Sequence, residues 1–368
     1  MRVALNGFFW GQQHTGSGQY LHHLVYHVEP LVPISLLQPS DCARRFNLGK
    51  LLFEQAQVTR RAYACGADLL HVPYWAPPLR SRLPVVVTVH DLIPLLLPEY
   101  RRSVLVRAYT TLVVAATRRA THVIADSEAT RRDLITHLRL PAERVTVVYL
   151  GVGKQFRPTQ DRAAGRHEQE RVRARERYGL PERYILYLGG FDPRKNVPLL
   201  LRAYAGLREQ GTACPPLVIA GRLPARAAAG LADPRWLASS LGIKEQVRFI
   251  GWVREEDKPA LYRAADVFVF PSHYEGFGLP VLEAMACGTA VVAAGSSSLP
   301  ELVGDAGVLV APDDELAVAR ALAELVADDE KRRALSGAAA GRARAFTWEH
   351  TARQTVGVWQ EACSVHAA

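Results

Sequence analysis

Short runs of aliphatic and β-branched residues recur through residues 1–150, each followed by a stretch of helical periodicity. Strands are predicted at residues 3–6, 68–72, 85–90, 122–126 and 145–150. The run Pro84-Val-Val-Val-Thr-Val-His90 is almost continuously apolar, as a strand covered on both faces requires. Strands alternating with helices imply right-handed crossovers and a parallel sheet. Residues 155–180 break the pattern: they are polar and charged, and read as a linker running into an exposed helix. The alternation then restarts, with strands predicted at 184–189, 217–221, 247–251, 267–271 and 290–294. A helix over 347–368 offers Trp348, Val356 and Trp359 for packing. The expected fold class is α/β, with two Rossmann-like, doubly wound parallel-sheet domains. They span residues 1–165, to which the helix 347–368 returns, and 176–346.

Length and composition agree with this picture. A chain of 368 residues suggests about two domains, and 49% hydrophobic with 22% charged residues is a globular composition. No apolar run reaches the roughly 18 residues that cross a bilayer. The chain opens on the strand-like Met1-Arg-Val-Ala-Leu-Asn-Gly7 with no leader pattern, so a cytoplasmic location is expected. The cysteines Cys42, Cys65, Cys214, Cys287 and Cys363 are scattered without metal spacing and read as reduced, mostly buried thiols. The net charge of +9 is uneven: residues 1–170 hold 21 Lys+Arg against 13 Asp+Glu, and residues 171–368 hold 24 against 23. The basic half suits an anionic membrane surface or a phosphate-bearing acceptor, and equally a solvated arginine-rich surface that follows from biased base composition. Nucleic acid is not expected, because the arginines are dispersed and no zinc-finger spacing or RNA-binding aromatic signature occurs. Residues 101–119, with Arg101, Arg102, Arg107, Arg118 and Arg119 among valines and leucines, fit two roles. They suit a helix resting peripherally on the inner face of a membrane, or one packed on its sheet with arginines in water.

The chemistry concentrates in Pro271-Ser-His-Tyr-Glu-Gly-Phe-Gly-Leu-Pro-Val-Leu-Glu-Ala-Met-Ala-Cys-Gly-Thr289. A strand ends, a glycine turn follows, and a helix begins near Leu279, the place where open α/β sheets collect ligands. Gly276 and Gly278, flanking Phe277, let backbone N–H groups approach a phosphate, and the helix start adds a favourable dipole. Glu283 can accept hydrogen bonds from a ribose diol, and Glu275 is placed on the loop to face a sugar. Arg194 and Lys195 follow another strand, before a helix from about Val197; Lys195 is one of only six lysines. Gly221 and Arg222 end the next strand. In the first half, Gly16 and Gly18 lie in Gly11-Gln-Gln-His-Thr-Gly-Ser-Gly-Gln-Tyr20, a loop before a helix over 21–28, and permit close backbone approach. His90 ends a buried strand, and Ser127 ends the next.

The 271–289 string resembles the nucleotide-sugar motif of glycosyltransferase family 4, retaining enzymes of the GT-B fold whose two domains face one another across a cleft. The likeness spans nearly the whole chain. Tyr184-Ile-Leu-Tyr-Leu-Gly-Gly-Phe-Asp-Pro-Arg-Lys-Asn196 resembles the family's diphosphate loop. Val218-Ile-Ala-Gly221, Arg248-Phe-Ile-Gly-Trp-Val253, Leu261-Tyr-Arg-Ala-Ala-Asp266, Ser298-Leu-Pro-Glu301 and Gly304-Asp-Ala-Gly307 resemble its later landmarks. Thr88-Val-His-Asp-Leu-Ile-Pro94 looks most like mannosyltransferases that build bacterial polysaccharides.

The resemblance implies retaining transfer of a hexose from a nucleotide sugar, GDP-mannose first and otherwise a UDP-hexose, to a saccharide or lipid-linked acceptor. No DxD falls on a loop after a strand, since Asp313-Asp314 follows a proline in a late turn, so no metal and no cofactor are expected. Arg194 and Lys195 would neutralise the departing diphosphate, Glu275 would hold the transferred sugar, and His90 would sit beside it. The family often places a further Arg where Gly190 stands, so Arg222 is expected to complete the clamp. Two other classes use such a donor site: a nucleotide-sugar epimerase or hydrolase, and a non-catalytic nucleotide-sugar-binding protein. An NAD dehydrogenase is disfavoured, since no GxGxxG follows the first strand.

Overall fold

The computed structural model describes residues 1–13, 15–40, 47–101, 103–159, 164–223 and 233–367, so Cys42 and Arg102 lie outside the described residues. The chain divides into two compact units: 1–151 together with 346–368, and 152–345. Each contains one six-stranded, wholly parallel sheet.

In the first unit the strands are β1 (Val3–Asn6), β2 (Ile34–Leu37), β3 (Leu69–Val72), β4 (Val85–Val89), β5 (His122–Ala125) and β6 (Val145–Val147), in the order β2-β1-β3-β4-β5-β6. The four central strands are buried along their whole length, which explains their unbroken apolar runs. Three of the unit's helices are α1 (Gly16–Val28), α2 (Val104–Arg119) and α3 (Glu128–Leu138). β2 escapes the sequence pattern because it is an edge strand, only half-buried at every position. Helix α1 begins five residues before the predicted start, because the Thr15 hydroxyl accepts the Gly18 N–H and caps it. Helix α2 begins after Ser103 and buries Thr110, Val113, Ala116 and Thr117, leaving Val104 and Leu105 exposed.

The second unit opens with α4 (Ala164–Tyr178), the exposed helix predicted after the linker. It continues through β7 (Ile185–Leu188), α5 (Val197–Glu209), β8 (Leu217–Ala220), β9 (Val247–Gly251), α6 (Lys258–Ala264), β10 (Val267–Phe270), α7 (Leu279–Ala286), β11 (Ala290–Ala294) and β12 (Val308–Val310). Helices α8 (Glu315–Ala327) and α9 (Asp329–Ala343) close it. The order β12-β11-β10-β7-β8-β9 is that of a dinucleotide-binding sheet, doubly wound about β7 and β10. β12, three residues long and at the edge, is again a strand the sequence pattern does not announce.

The last helix, α10 (Trp348–Ala367), belongs to the first unit and packs on α1, β4 and β5. Trp348 and Trp359 are buried as expected, with Val358 rather than Val356 as their aliphatic companion. Trp348 stacks on His23, with ring centroids 4.6 Å apart. Trp359 Nε1 donates to His71 Nδ1 at 3.2 Å, so the other ring nitrogen carries the proton and donates to Thr88 Oγ1 at 2.9 Å. Among the described residues no helix is long and apolar enough to cross a membrane. Four described cysteines are free thiols, of which only Cys287 is buried.

Candidate active site

β7 and β10 are neighbours in the sheet but far apart in the chain, so the loops leaving their carboxyl ends converge. After β7 a single 3₁₀ turn, Pro193–Lys195, leads into Asn196, whose φ of 53° starts α5 from a left-handed conformation. That turn buries Lys195 and sends it to the β10 loop. There Glu275 Oε1 accepts from Lys195 Nζ at 2.6 Å and from Ser272 Oγ at 2.5 Å, and pairs with Arg194 Nη1 at 2.8 Å. Arg194 also binds the Tyr274 carbonyl (2.9 Å) and Asp192 Oδ1 (2.9 Å). The backbone of Glu275 is held by Ser297, a non-glycine residue at φ 48°, whose hydroxyl meets both its N–H and its carbonyl. Strained backbone of this kind survives only where surrounding contacts enforce it.

Burial drives the Glu275 pKa upward, but the charges of Lys195 and Arg194 outweigh it and hold the carboxyl below its ordinary range. Burial dominates for Lys195, whose pKa falls despite Glu275. The structure thus brings together three of the expected residues. It also refines the expectation: in this state the two cations are balanced by Glu275 and Asp192.

Glu283, in the second turn of α7, is buried, and its Oε2 accepts from the Tyr262 hydroxyl of α6 at 2.8 Å. Burial raises its pKa, with Lys258 pulling the other way. Gly278 caps α7 at φ 101°, and a Cβ there would lie 2.7 Å from Leu299 Cδ2. Phe277 is buried, while Gly276 and Leu279 are half-buried. Gly221, at φ 153°, is required by its own chain: a Cβ would stand 2.0 Å from the Gly189 carbonyl oxygen. The Arg222 guanidinium lies over the Trp252 ring, 5.5 Å from its centroid.

In the first unit, Gly16 and Gly18 sit in the opening turn of α1 rather than in the loop. A Cβ on Gly18 would lie 2.1 Å from the Gln12 carbonyl oxygen, so this glycine serves the helix start; Gly16 faces open space. His90 follows β4, and its Nδ1 meets Asp126 Oδ2 at 2.7 Å. Ser127 is spent capping α3 through the Thr130 N–H. Among the described residues no cluster of His, Cys, Asp and Glu could hold a metal ion.

Residues 15–155 match the family described as Glycosyltransferase Family 4, and residues 168–342 match Glycosyl transferases group 1. The chain is 33% identical over 277 residues to the O-antigen chain mannosyltransferase B of Escherichia coli, covering 75% of this chain and 70% of that one. The chain belongs to the family 4 glycosyltransferases. The glycosyltransferase is also 35% identical over 318 residues to a D-inositol 3-phosphate glycosyltransferase of Salinispora tropica, covering 81% of this chain and 65% of the other. Its fold is shared with the crystal structure of Anabaena HepE in complex with UDP-glucose, at TM-score 0.73 and 20% identity over 98% of this chain and 99% of that one.

Sequence reasoning about this glycosyltransferase missed Ser272, Ser297, Tyr262 and Asp126. Ser297 and Tyr262 contact their partners across about twenty residues and carry no motif signal. Asp126 had a usable signal: it follows β5 just as His90 follows β4, and the two strands pair in register.

Proposed function

We propose that this enzyme transfers a hexose with retention from a nucleotide sugar to a saccharide or lipid-linked acceptor hydroxyl, with mannose from GDP-mannose as the first donor to try. The observation that carries the reading is the Arg194–Lys195–Glu275 cluster, its lysine and glutamate buried, at the switch point of the second sheet. Two cations at that position supply the charge that a departing diphosphate needs, so the reaction requires no resident metal. The incoming diphosphate competes with Glu275 for Arg194 and Lys195, and the carboxylate so released accepts hydroxyls of the transferred hexose.

The bond between the anomeric carbon and the diphosphate oxygen breaks, and a bond from that carbon to the acceptor oxygen forms on the same face. The acceptor proton passes to the departing phosphate oxygen. Glu283 holds the ribose, and His90 meets a hydroxyl of the sugar. Relatives support the donor class: a mannosyltransferase is 33% identical, and HepE is crystallised with UDP-glucose. The basic balance of residues 1–170 supports a phosphate-bearing acceptor or peripheral contact with an anionic membrane.

The test is a thermal-shift screen of GDP- and UDP-sugars followed by product analysis with the donor that stabilises. Stabilisation by GDP-mannose, and an α-linked mannoside from this α-configured donor, are expected. A β-linked product would overturn retention. A fully active, folded K195A variant would overturn the diphosphate assignment.

A further inference from the structure

The pair formed by His90 and Asp126 has a geometry that the reaction above leaves unused. β4 and β5 pair with Val89 opposite Ala125, so the next residue of each strand, His90 and Asp126, emerges side by side at the carboxyl edge of the sheet. That edge is where open parallel sheets bind ligands. Asp126 is almost wholly buried, and its Oδ2 lies 2.7 Å from His90 Nδ1. The Tyr20 ring meets the imidazole edge-on with centroids 4.9 Å apart, and its hydroxyl is tied to Thr88 Oγ1 at 3.1 Å. The imidazole is therefore held from two directions. No well-formed hydrogen bond from the described residues reaches the buried His90 Nε2 or Asp126 Oδ1, although the Pro73 carbonyl lies close enough to the ring to raise its proton affinity. Buried polar atoms left unpaired cost free energy and call for a reason.

We propose that Asp126 is a positioning residue for glycosyl transfer: it anchors the His90 ring through Nδ1 and fixes the proton there, so that Nε2 is the nitrogen reserved for a substrate hydroxyl. The proposal rests on the reading of His90 as a group that meets the transferred sugar. The ionisable groups around the ring are Asp126 from the end of β5, Asp91 beside it in the chain, His71 from β3 and Tyr20 from α1. Burial lowers the proton affinity of His90, and Asp126, joined by Asp91 and the Pro73 carbonyl, more than restores it. Replacing Asp126 by Asn removes that restoring charge at constant shape, so the His90 midpoint falls. Whichever form of the imidazole is active, the limb of the pH–rate profile that depends on His90 moves to lower pH.

The experiment combines nitrogen-15 NMR of the imidazoles with kinetics of D126N, H90Q and the double variant, each checked for an unchanged melting profile. In the parent protein the neutral ring is expected to show the proton on Nδ1, a measurement that needs no variant and no activity. D126N is expected to lower the His90 midpoint and to reduce kcat roughly 10- to 100-fold, the worth of one charge-assisted hydrogen bond. The double variant is expected to lose no more than H90Q alone, because Asp126 acts through His90. A neutral ring protonated on Nε2, an unmoved midpoint in D126N, or additive losses in the double variant would each overturn the proposal. An H90Q enzyme as active as the parent overturns the reading of His90 itself, and with it any role of Asp126 in transfer, whatever the NMR shows.

Discussion

The two units answer the same architectural problem differently at the carboxyl edges of their sheets. In the second, the β7 and β10 loops are tied together: Lys195, Arg194 and Ser272 all reach Glu275, and Ser297 fixes its backbone. In the first, the corresponding edge presents a histidine–aspartate pair with one polar atom of each partner unsatisfied. Both edges pair their charges, but hydrogen-bonding capacity is used up in one and left over in the other. A loop set that is internally neutralised binds only what competes for its cations, which suits a diphosphate.

The sharpest way to break this contrast is at Glu275 and Lys195. E275Q or K195A, each removing one partner of a buried charge pair, is expected to lower kcat/KM by roughly 10²–10³-fold, the scale of losing one preorganised electrostatic contact. Steady-state kinetics on variants with parental circular dichroism measures it. Loss of less than threefold in both would mean that the closed cluster is scaffolding.

Next in size is W359A. Removing a fully buried Trp is expected to cost about 3–5 kcal/mol, confined to the first unit. W359F, which loses the hydrogen bond to His71 and part of the buried ring volume, should cost less, about 1–3 kcal/mol. Denaturant melts with domain-resolved hydrogen exchange separate the two units.

Acid should part the units as well. His71 is pushed down to about 3 by burial, so its neutral form belongs to the folded state. Its contribution is fully present above the unfolded value near 6.5 and is lost as pH falls from there toward 3, by about 1.4 kcal/mol per pH unit. Glu275, held below its ordinary value, loses its contribution only as pH falls through the carboxylate range and below it. The first unit should therefore loosen at milder acidity. A H71F variant that leaves the acid melt of that unit unchanged would refute this account.

The smallest effect is expected from Y262F. Without the Tyr262 hydrogen bond the raised pKa of Glu283 climbs further, so donor binding should fail at a slightly higher pH. Calorimetric titration across pH 4–7 should show a loss of up to about tenfold in affinity near the lower end.

Much of this was legible in the residue pattern because parallel strands buried on both faces leave unbroken apolar runs, as at Val85–Val89 and Val267–Phe270. The strands that escaped, Ile34–Leu37 and Val308–Val310, sit at sheet edges where half the signal is missing. Arg194, Lys195, Glu275 and Glu283 announced themselves because each lies in a local motif next to a strand end. What the pattern could not show is how those residues pair. The Lys195–Glu275 contact spans 80 positions, and nothing local says that a lysine will face a glutamate before it meets a phosphate. The glycines at Gly18 and Gly221 carry a second requirement the pattern could not show, since each also makes room for a backbone oxygen of its own chain.

The path of the polypeptide carries one more consequence. Helix α10 closes the first unit, but its residues are translated after every residue of the second. During synthesis the contiguous second unit has all its parts while the first still lacks the tryptophan that plugs it. The nascent amino-terminal sheet must wait, with part of its apolar surface uncovered, until the ribosome has delivered α10. That interval is when chaperones would find it.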